Sequence, residues 1–386
     1  MDYYKKSLAL HKKLGGKIEI KNKINIKNFN DLSLCYTPGV AAVSSAIAKN
    51  KNLARQMTIK KNSVAVISDG SAVLGLGNIG AKAALPVMEG KSMLFKKFAD
   101  IDAFPIVLAT QDPEEIIKTI KFLAPNFGGI NLEDISAPRC FYIEERLKNE
   151  LNIPVMHDDQ HGTAIVVLAA LINALKVVKK DITEIKIIIS GAGSAGGAIT
   201  KILLNYGAKN IIVFDSVGAI YLNRPNLNEF KKHLAKTTNI GCLGKNGFKC
   251  EMKDMVSAIK DADIFIGVSA PGILTQEMVK TMSKKAIIFA MANPVPEIMP
   301  NIAKKAGAYI IATGRSDFPN QINNVLAFPG VFRGALDNKI NKITDEMKIK
   351  AAENLAKIIK KPSPNKIIPS VFDKKVVKAV AKAIKN

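Results

Sequence analysis

From residue 63 onward, short apolar runs alternate with segments whose apolar positions recur at helical spacing. That alternation predicts an α/β protein built on parallel sheets. In the first half the pattern predicts strands at residues 63–68, 104–109, 128–133 and 153–157, and helices at 113–124 and 137–149. Asp112 followed by Pro113 is a helix start, because aspartate caps free N–H groups and proline suits the first turn. In the second half strands are expected at 184–190, 209–215, 262–269, 285–292 and 308–313. Beyond residue 340 the chain is lysine-rich and helical, broken at KPSPNK, 361–366. A boundary near residue 160 divides an N-terminal α/β domain, 1–160, from a second α/β domain with C-terminal helices, 161–386. Whether those last helices return to the first domain is left open by the pattern.

The longest apolar stretch, residues 162–178, contains Asn173 and is shorter than the roughly 20 apolar residues that span a bilayer, so it reads as a buried helix. The first residues, MDYYKKSLALHKKLGG, have no apolar signal core, and a cytoplasmic protein without membrane attachment is expected. Cys35, Cys140, Cys242 and Cys250 lack paired spacing and are expected to be reduced structural thiols. A net charge of +23 raises the question of nucleic acid, but only six of the 56 basic residues are arginine, the side chain that base and phosphate clamps favour. The lysines are spread along the whole chain, so no specific nucleic-acid partner is expected.

EIKIIISGAGSAGGAITKILLNYGAKNIIVFD carries the most specific motif. Gly191, Gly193 and Gly196 fit G-x-G-x-x-G between an apolar strand and a helix, and a second strand ends at Asp215. The loop Gly191, Ala192, Gly193, Ser194, Ala195 and Gly196 is expected to bind the cofactor pyrophosphate at the following helix N-terminus. Asp215 lies 24 residues after Gly191, near the ~20 expected of an acid that holds the ribose hydroxyls. With no Arg or Lys in the adjoining Ser216-Val217-Gly218, NAD is expected over NADP. Gly75, Gly77 and Gly80 share the spacing, but Pro86 interrupts the helical pattern after them and no second strand ends in an acid. They are not read as a second site.

Two acidic clusters, Glu133-Asp134 and Asp158-Asp159, fall at the ends of consecutive expected strands. A crossover helix between parallel strands brings those ends to one sheet edge. Carboxylates brought so close repel unless protonated or holding a cation, and oxygen ligands suit Mg²⁺ or Mn²⁺. Each aspartate alone would read as a helix cap; the coincidence favours a metal. His157 and His161 are expected to orient or pack rather than bind zinc. Asn293 ends the apolar run KAIIFAMAN and Asn323-Asn324 precede VLAFPG; asparagine there is a turn residue by default, yet Asn293 and Asn324 sit at the edge where a Rossmann domain binds its nicotinamide. No physical argument singles out a catalytic base among 50 lysines, or one of seven tyrosines.

Here resemblance takes over. YTPGVA (36–41), SDGSAVLGLGNIG (68–80), PVMEGKSMLFKKFADIDAFPI (86–106), NLEDISAP (131–138), PVMHDDQHGTA (154–164), GAGSAG (191–196), ANPVPE (292–297) and NNVLAFPG (323–330) occur in the order found in smaller bacterial-type malic enzymes, and the chain resembles that family over most of its length. The resemblance implies oxidative decarboxylation of L-malate to pyruvate and CO₂ with reduction of NAD(P)⁺, through oxaloacetate and enolpyruvate, in a homodimer. It implies Tyr36 as general acid, Lys91 as general base, and Glu133, Asp134 and Asp159 as metal ligands. Asp158 then stands behind the ligands and helps set the charge of Lys91, whose pKa burial near other cations would depress. Asn293 and Asn324 would touch substrate or nicotinamide. Larger malic enzymes carry a carboxylate-gripping Arg where this chain has Ala72. An amino-acid dehydrogenase, the nearest alternative, needs no metal, so EDTA sensitivity separates the two.

Overall fold

The computed structural model describes residues 3–73, 75–239 and 254–385. Its core is two parallel sheets. The first contains β1 (Ser63–Ser68), β2 (Asp102–Val107), β3 (Gly129–Leu132) and β4 (Val155–His157), in the order β2-β1-β3-β4. The second contains β5 (Lys186–Ser190), β6 (Asn210–Asp215), β7 (Gly218–Ala219), β8 (Ile264–Gly267), β9 (Ile287–Ala290) and β10 (Ile310–Thr313), in the order β10-β9-β8-β5-β6-β7. All pairs are parallel except the short β6–β7 ribbon. This is the doubly wound dinucleotide-binding order, with its switch point between β5 and β8.

The expected strands are all present, and the differences have local causes. β2 starts two residues early, where Asp102 pairs with Ser63, and it accepts Pro105 because it is an edge strand that can lose an N–H. β3 stops at Leu132 instead of 133, because Asp134 takes a left-handed φ of 53°. The helix Gly80–Ala99 runs through Pro86, which forfeits one internal hydrogen bond without ending it; the interruption read from the sequence is corrected. Asp112 caps the helix Pro113–Leu123 by accepting from the Glu115 N–H.

The apolar helix Asp158–Val178 joins the two sheets. Its length and composition would suit a membrane, yet 78% of its apolar window is buried in the fold, as a core helix requires. Asn173 is satisfied inside the protein, donating to the carbonyls of Ala356 and Ile367 at 2.9 Å each. The terminal helices do return to the first half. Phe328 and Phe332 of the helix Phe328–Asp337 pack on Phe95, with ring centroids 4.6 and 5.5 Å apart. One apolar core therefore runs from β1 across the central helix to the C-terminus.

The helices Tyr3–Leu14, Phe29–Cys35 and Val40–Lys49 form a different kind of region. None contains a buried residue, and Leu8, Leu14, Phe29, Leu34 and Tyr36 are exposed. Cys35 and Cys140 are free thiols, and burial pushes Cys140 up to about 12, which makes it unreactive. Cys242 and Cys250 lie outside the described residues.

Candidate active site

The site is assembled at the C-terminal edges of both sheets. In the first sheet the parallel register sets Leu132 beside His157, so the acids that follow β3 and β4 meet. Glu133, Asp134 and Asp159 each offer an oxygen within 4.8 Å of the others. The turn at Asp134 is held from both sides: its N–H donates to Asp159 at 2.9 Å, and its carbonyl accepts from the Ala72 N–H at 3.0 Å. This turn lets adjacent Glu133 and Asp134 face one point, which a continuing strand would forbid.

Lys91, on the helix Gly80–Ala99, enters this cluster from the other side. Its Nζ lies 2.6 Å from Asp158 and 2.8 Å from Glu133, and 4.3 Å from the centroid of the Phe328 ring. All three ionic side chains are buried. Burial alone would push Lys91 down, but Asp158, Glu133 and Asp159 outweigh it and hold the ammonium above its usual range. The depressed lysine expected from neighbouring cations is therefore corrected: its neighbours are carboxylates. Burial raises Glu133 well above the usual carboxylate range against the pull of Lys91, and likewise pushes Asp158 up to about 6. Four acids around one ammonium leave excess negative charge, which a proton or a divalent cation relieves. Three hard oxygen donors, two from this turn and one from the first turn of the helix Asp158–Val178, fit Mg²⁺ or Mn²⁺.

Residues that no sequence signal marked support this cluster. Asn131 donates to Glu133 at 2.8 Å. Buried Glu144 accepts from the His157 N–H and from His161, both at 2.9 Å, fixing the junction from which Asp158 and Asp159 project. His161 thus orients, and His157 is fully buried. Gly162 leaves room for the Asp158 carboxylate, which any Cβ there would strike, and Asn324 abuts the same spot.

The glycines of the second sheet stand where the backbone leaves no room for a side chain or faces open space. Gly191 has φ +112°, and a Cβ there would come within 2.5 Å of the Val268 carbonyl. A Cβ on Gly193 would meet nothing, so its backbone faces open space; one on Gly196 would run into the Gly191 carbonyl. The loop Gly191–Gly193, Asp215 and Ser269 line a cavity of about 440 Å³. Ala137, Pro138 and Phe141, from the segment that follows Asp134, also line it. This donor-lined recess at a helix N-terminus fits a dinucleotide. Glu297 ties its rim by accepting from the N–H groups of Ser269 and Ala292, at 2.9 and 3.0 Å. Gly75 approaches the Asn293 carbonyl so closely that a Cβ would stand 2.5 Å away, which joins the 70–80 loop to the Asn293 turn.

Two expected residues stand differently. Tyr36 is 67% exposed, and its backbone bonds are local, to Leu32 and Val40. It is not part of the buried Lys91 cluster. Asp215 is not free of basic neighbours: Arg224 and Lys231 both reach it, at 2.5 and 2.6 Å.

Comparison with known proteins agrees with this geometry. Residues 160–386 match the family model described as malic enzyme, NAD binding domain, and residues 15–115 and 109–148 match malic enzyme, N-terminal domain. The chain is 56% identical to the bifunctional malic/malolactic enzyme of Bacillus subtilis (strain 168), over 100% of this chain and 92% of that protein. It is also 56% identical to an NAD-dependent malic enzyme of Geobacillus stearothermophilus, over 96% of this chain and 76% of that one. The crystal structure of an NAD-dependent malic enzyme from Thermotoga maritima superposes with a TM-score of 0.93 at 50% identity, covering 98% of this chain and 99% of that one. Two family models spanning most of the sequence, with full-length relatives and a near-superposable structure, make this chain a member of the malic enzyme family.

Proposed function

We propose that the protein oxidises L-malate to pyruvate and CO₂ with reduction of NAD(P)⁺, NAD being preferred. The observation that carries this reading is the Lys91 ammonium between Asp158 and Glu133, beside a triad of carboxylates and at the same edge as a dinucleotide cavity. Glu133, Asp134 and Asp159 would hold Mg²⁺ or Mn²⁺. A divalent cation held there would supply a Lewis acid for the substrate's oxygens, and its charge would offset the carboxylates that keep Lys91 charged. Lys91, once neutral, takes the C2 hydroxyl proton, and Asp158 holds its Nζ in place. Asn293 and Asn324 orient substrate and nicotinamide, and Tyr36, which lies outside the Lys91 cluster of its own chain, would protonate C3 of the enol from the arm of a second copy.

The exposed apolar arm that carries Tyr36 supports a homodimer, since a second copy would cover the side chains that this fold leaves in water. The division into a substrate and metal domain, 1–160, and a dinucleotide domain, 161–386, with a cytoplasmic location, completes the reading. Following NADH and NADPH formation from L-malate, with and without Mn²⁺, tests it. Turnover that requires the metal is expected, and undiminished turnover in excess EDTA refutes the mechanism.

A further inference from the structure

A second cavity shares Phe141 and Phe230 with the dinucleotide recess. It measures about 950 Å³, a size that suits a small organic ligand. Its lining comes from the helices Arg139–Glu150, Asp158–Val178, Ser194–Asn205 and Glu229–Thr237, together with the segment 342–348. Ala198, Ile202, Leu234 and Ile343 make part of it apolar. The rest is charged: Lys148, Lys201, Lys342 and Lys348 stand against Glu144, Glu145 and Asp345.

Donors outnumber acceptors here. The Asp345 carboxylate is divided between two ammoniums, Lys201 at 2.8 Å and Lys348 at 2.9 Å. The Glu144 carboxylate takes three donors: Lys148 at 2.7 Å, and the His157 N–H and the His161 ring at 2.9 Å each. Lys348 is 5% exposed, and burial, reinforced by Lys148, holds its ammonium below its usual range. An ammonium carries three donors, and among the described residues Asp345 is the acceptor for one of them. Gln160 is equally buried, and its amide Nε2 has no acceptor. Buried donors left without acceptors are costly, and the oxygens of an anion would satisfy them. We propose that this cavity binds an organic oxyanion, a carboxylate or phosphoryl group on an apolar body. The acid group accepts from Lys148 and Lys348, Gln160 offers a further donor, and the body lies against Ile202 and Leu234. The site goes beyond the proposed reaction and requires neither malate nor metal.

The test is a fluorescence titration of the full chain, in saturating NAD⁺, with anilinonaphthalene sulfonate, an aromatic anion. Its neutral counterpart, phenylnaphthylamine, is titrated beside it. The anion is expected to bind saturably and the neutral probe far more weakly. Lys348→Met should weaken the anion about tenfold or more, the factor one charge-assisted hydrogen bond carries. Lys201→Gln, at a side chain 63% exposed, removes a cation without touching the core and leaves Asp345 to Lys348 alone, so a loss of a few-fold is expected. Neither lysine lines the dinucleotide recess, so both variants report on this cavity whether or not NAD⁺ fills the recess. Displacement by benzoate or by phenyl phosphate identifies the acid group as carboxylate or phosphoryl. Equal binding of the two probes, wild-type affinity in both variants, or displacement by neither competitor overturns the proposal.

Discussion

Replacing Lys91 by methionine keeps the length of the side chain and removes the charge that two buried carboxylates share. At 2.6 and 2.8 Å, each ion pair amounts to about 6 kcal/mol at an effective dielectric of 20. Desolvation of the charges offsets much of that, and removing one member of a buried pair costs about 3–5 kcal/mol, because the partner is left uncompensated. Lys91 serves two partners, so a loss near the upper end, about 5 kcal/mol, is expected at neutral pH in EDTA. Glu133, already raised by burial, lowers the cost by taking up a proton. Excess Mn²⁺ should then restore more stability to the variant than it adds to the wild type, since the ion replaces the missing positive charge. Denaturant unfolding of both proteins, with EDTA and with Mn²⁺, gives the four stabilities required. Equal stability of variant and wild type in EDTA would refute the idea that Lys91 neutralises this cluster. Malate oxidation should be lost in either condition.

Asp159→Asn should weaken Mn²⁺ binding severely while NADH affinity persists, because the charged ligand is removed without a change of shape and the glycine-rich loop lies elsewhere; parallel titrations check both, and unchanged Mn²⁺ affinity would remove Asp159 from the site. Phe332→Ala should cost about 3–5 kcal/mol, the usual loss for truncating a fully buried phenylalanine, read from unfolding midpoints; a cost below about 1 kcal/mol would mean that the C-terminal helix does not stabilise the first sheet.

Features with a one-dimensional signature were legible in the sequence. β1 has the predicted bounds, and the glycine loop and the convergence of Glu133-Asp134 with Asp158-Asp159 follow from strand and crossover spacing alone. What escaped depends on partners distant in the chain. β3 ends early because Ala72 and Asp159 hold the Asp134 turn, from 62 and 25 residues away. The sign of the Lys91 shift could not be read, since its neighbours come from three other segments. Arg224 and Lys231 were missed at Asp215 because they arrive from a loop and a helix beyond the adjoining tripeptide. Glu144 and Glu297, ordinary acids in sequence, matter through partners that folding brings: the His157 N–H and the His161 ring for Glu144, and the N–H groups of Ser269 and Ala292 for Glu297. The N-terminal arm has no burial of its own to impose a pattern.

The stretch from Glu133 to Phe141 joins the carboxylate cluster to the dinucleotide recess. Its first two residues belong to the carboxylate cluster that would hold a cation, and Ala137, Pro138 and Phe141 line the dinucleotide recess, where Phe141 stacks on Phe230 at 4.0 Å. A shift of this short segment therefore moves both walls together, and the two occupancies share one free-energy cycle. Linkage is reciprocal: whatever factor the cation adds to dinucleotide affinity, the dinucleotide must return to the cation. A change that loosens the Phe141–Phe230 stack, far from any carboxylate, would then be felt as a weaker hold on metal.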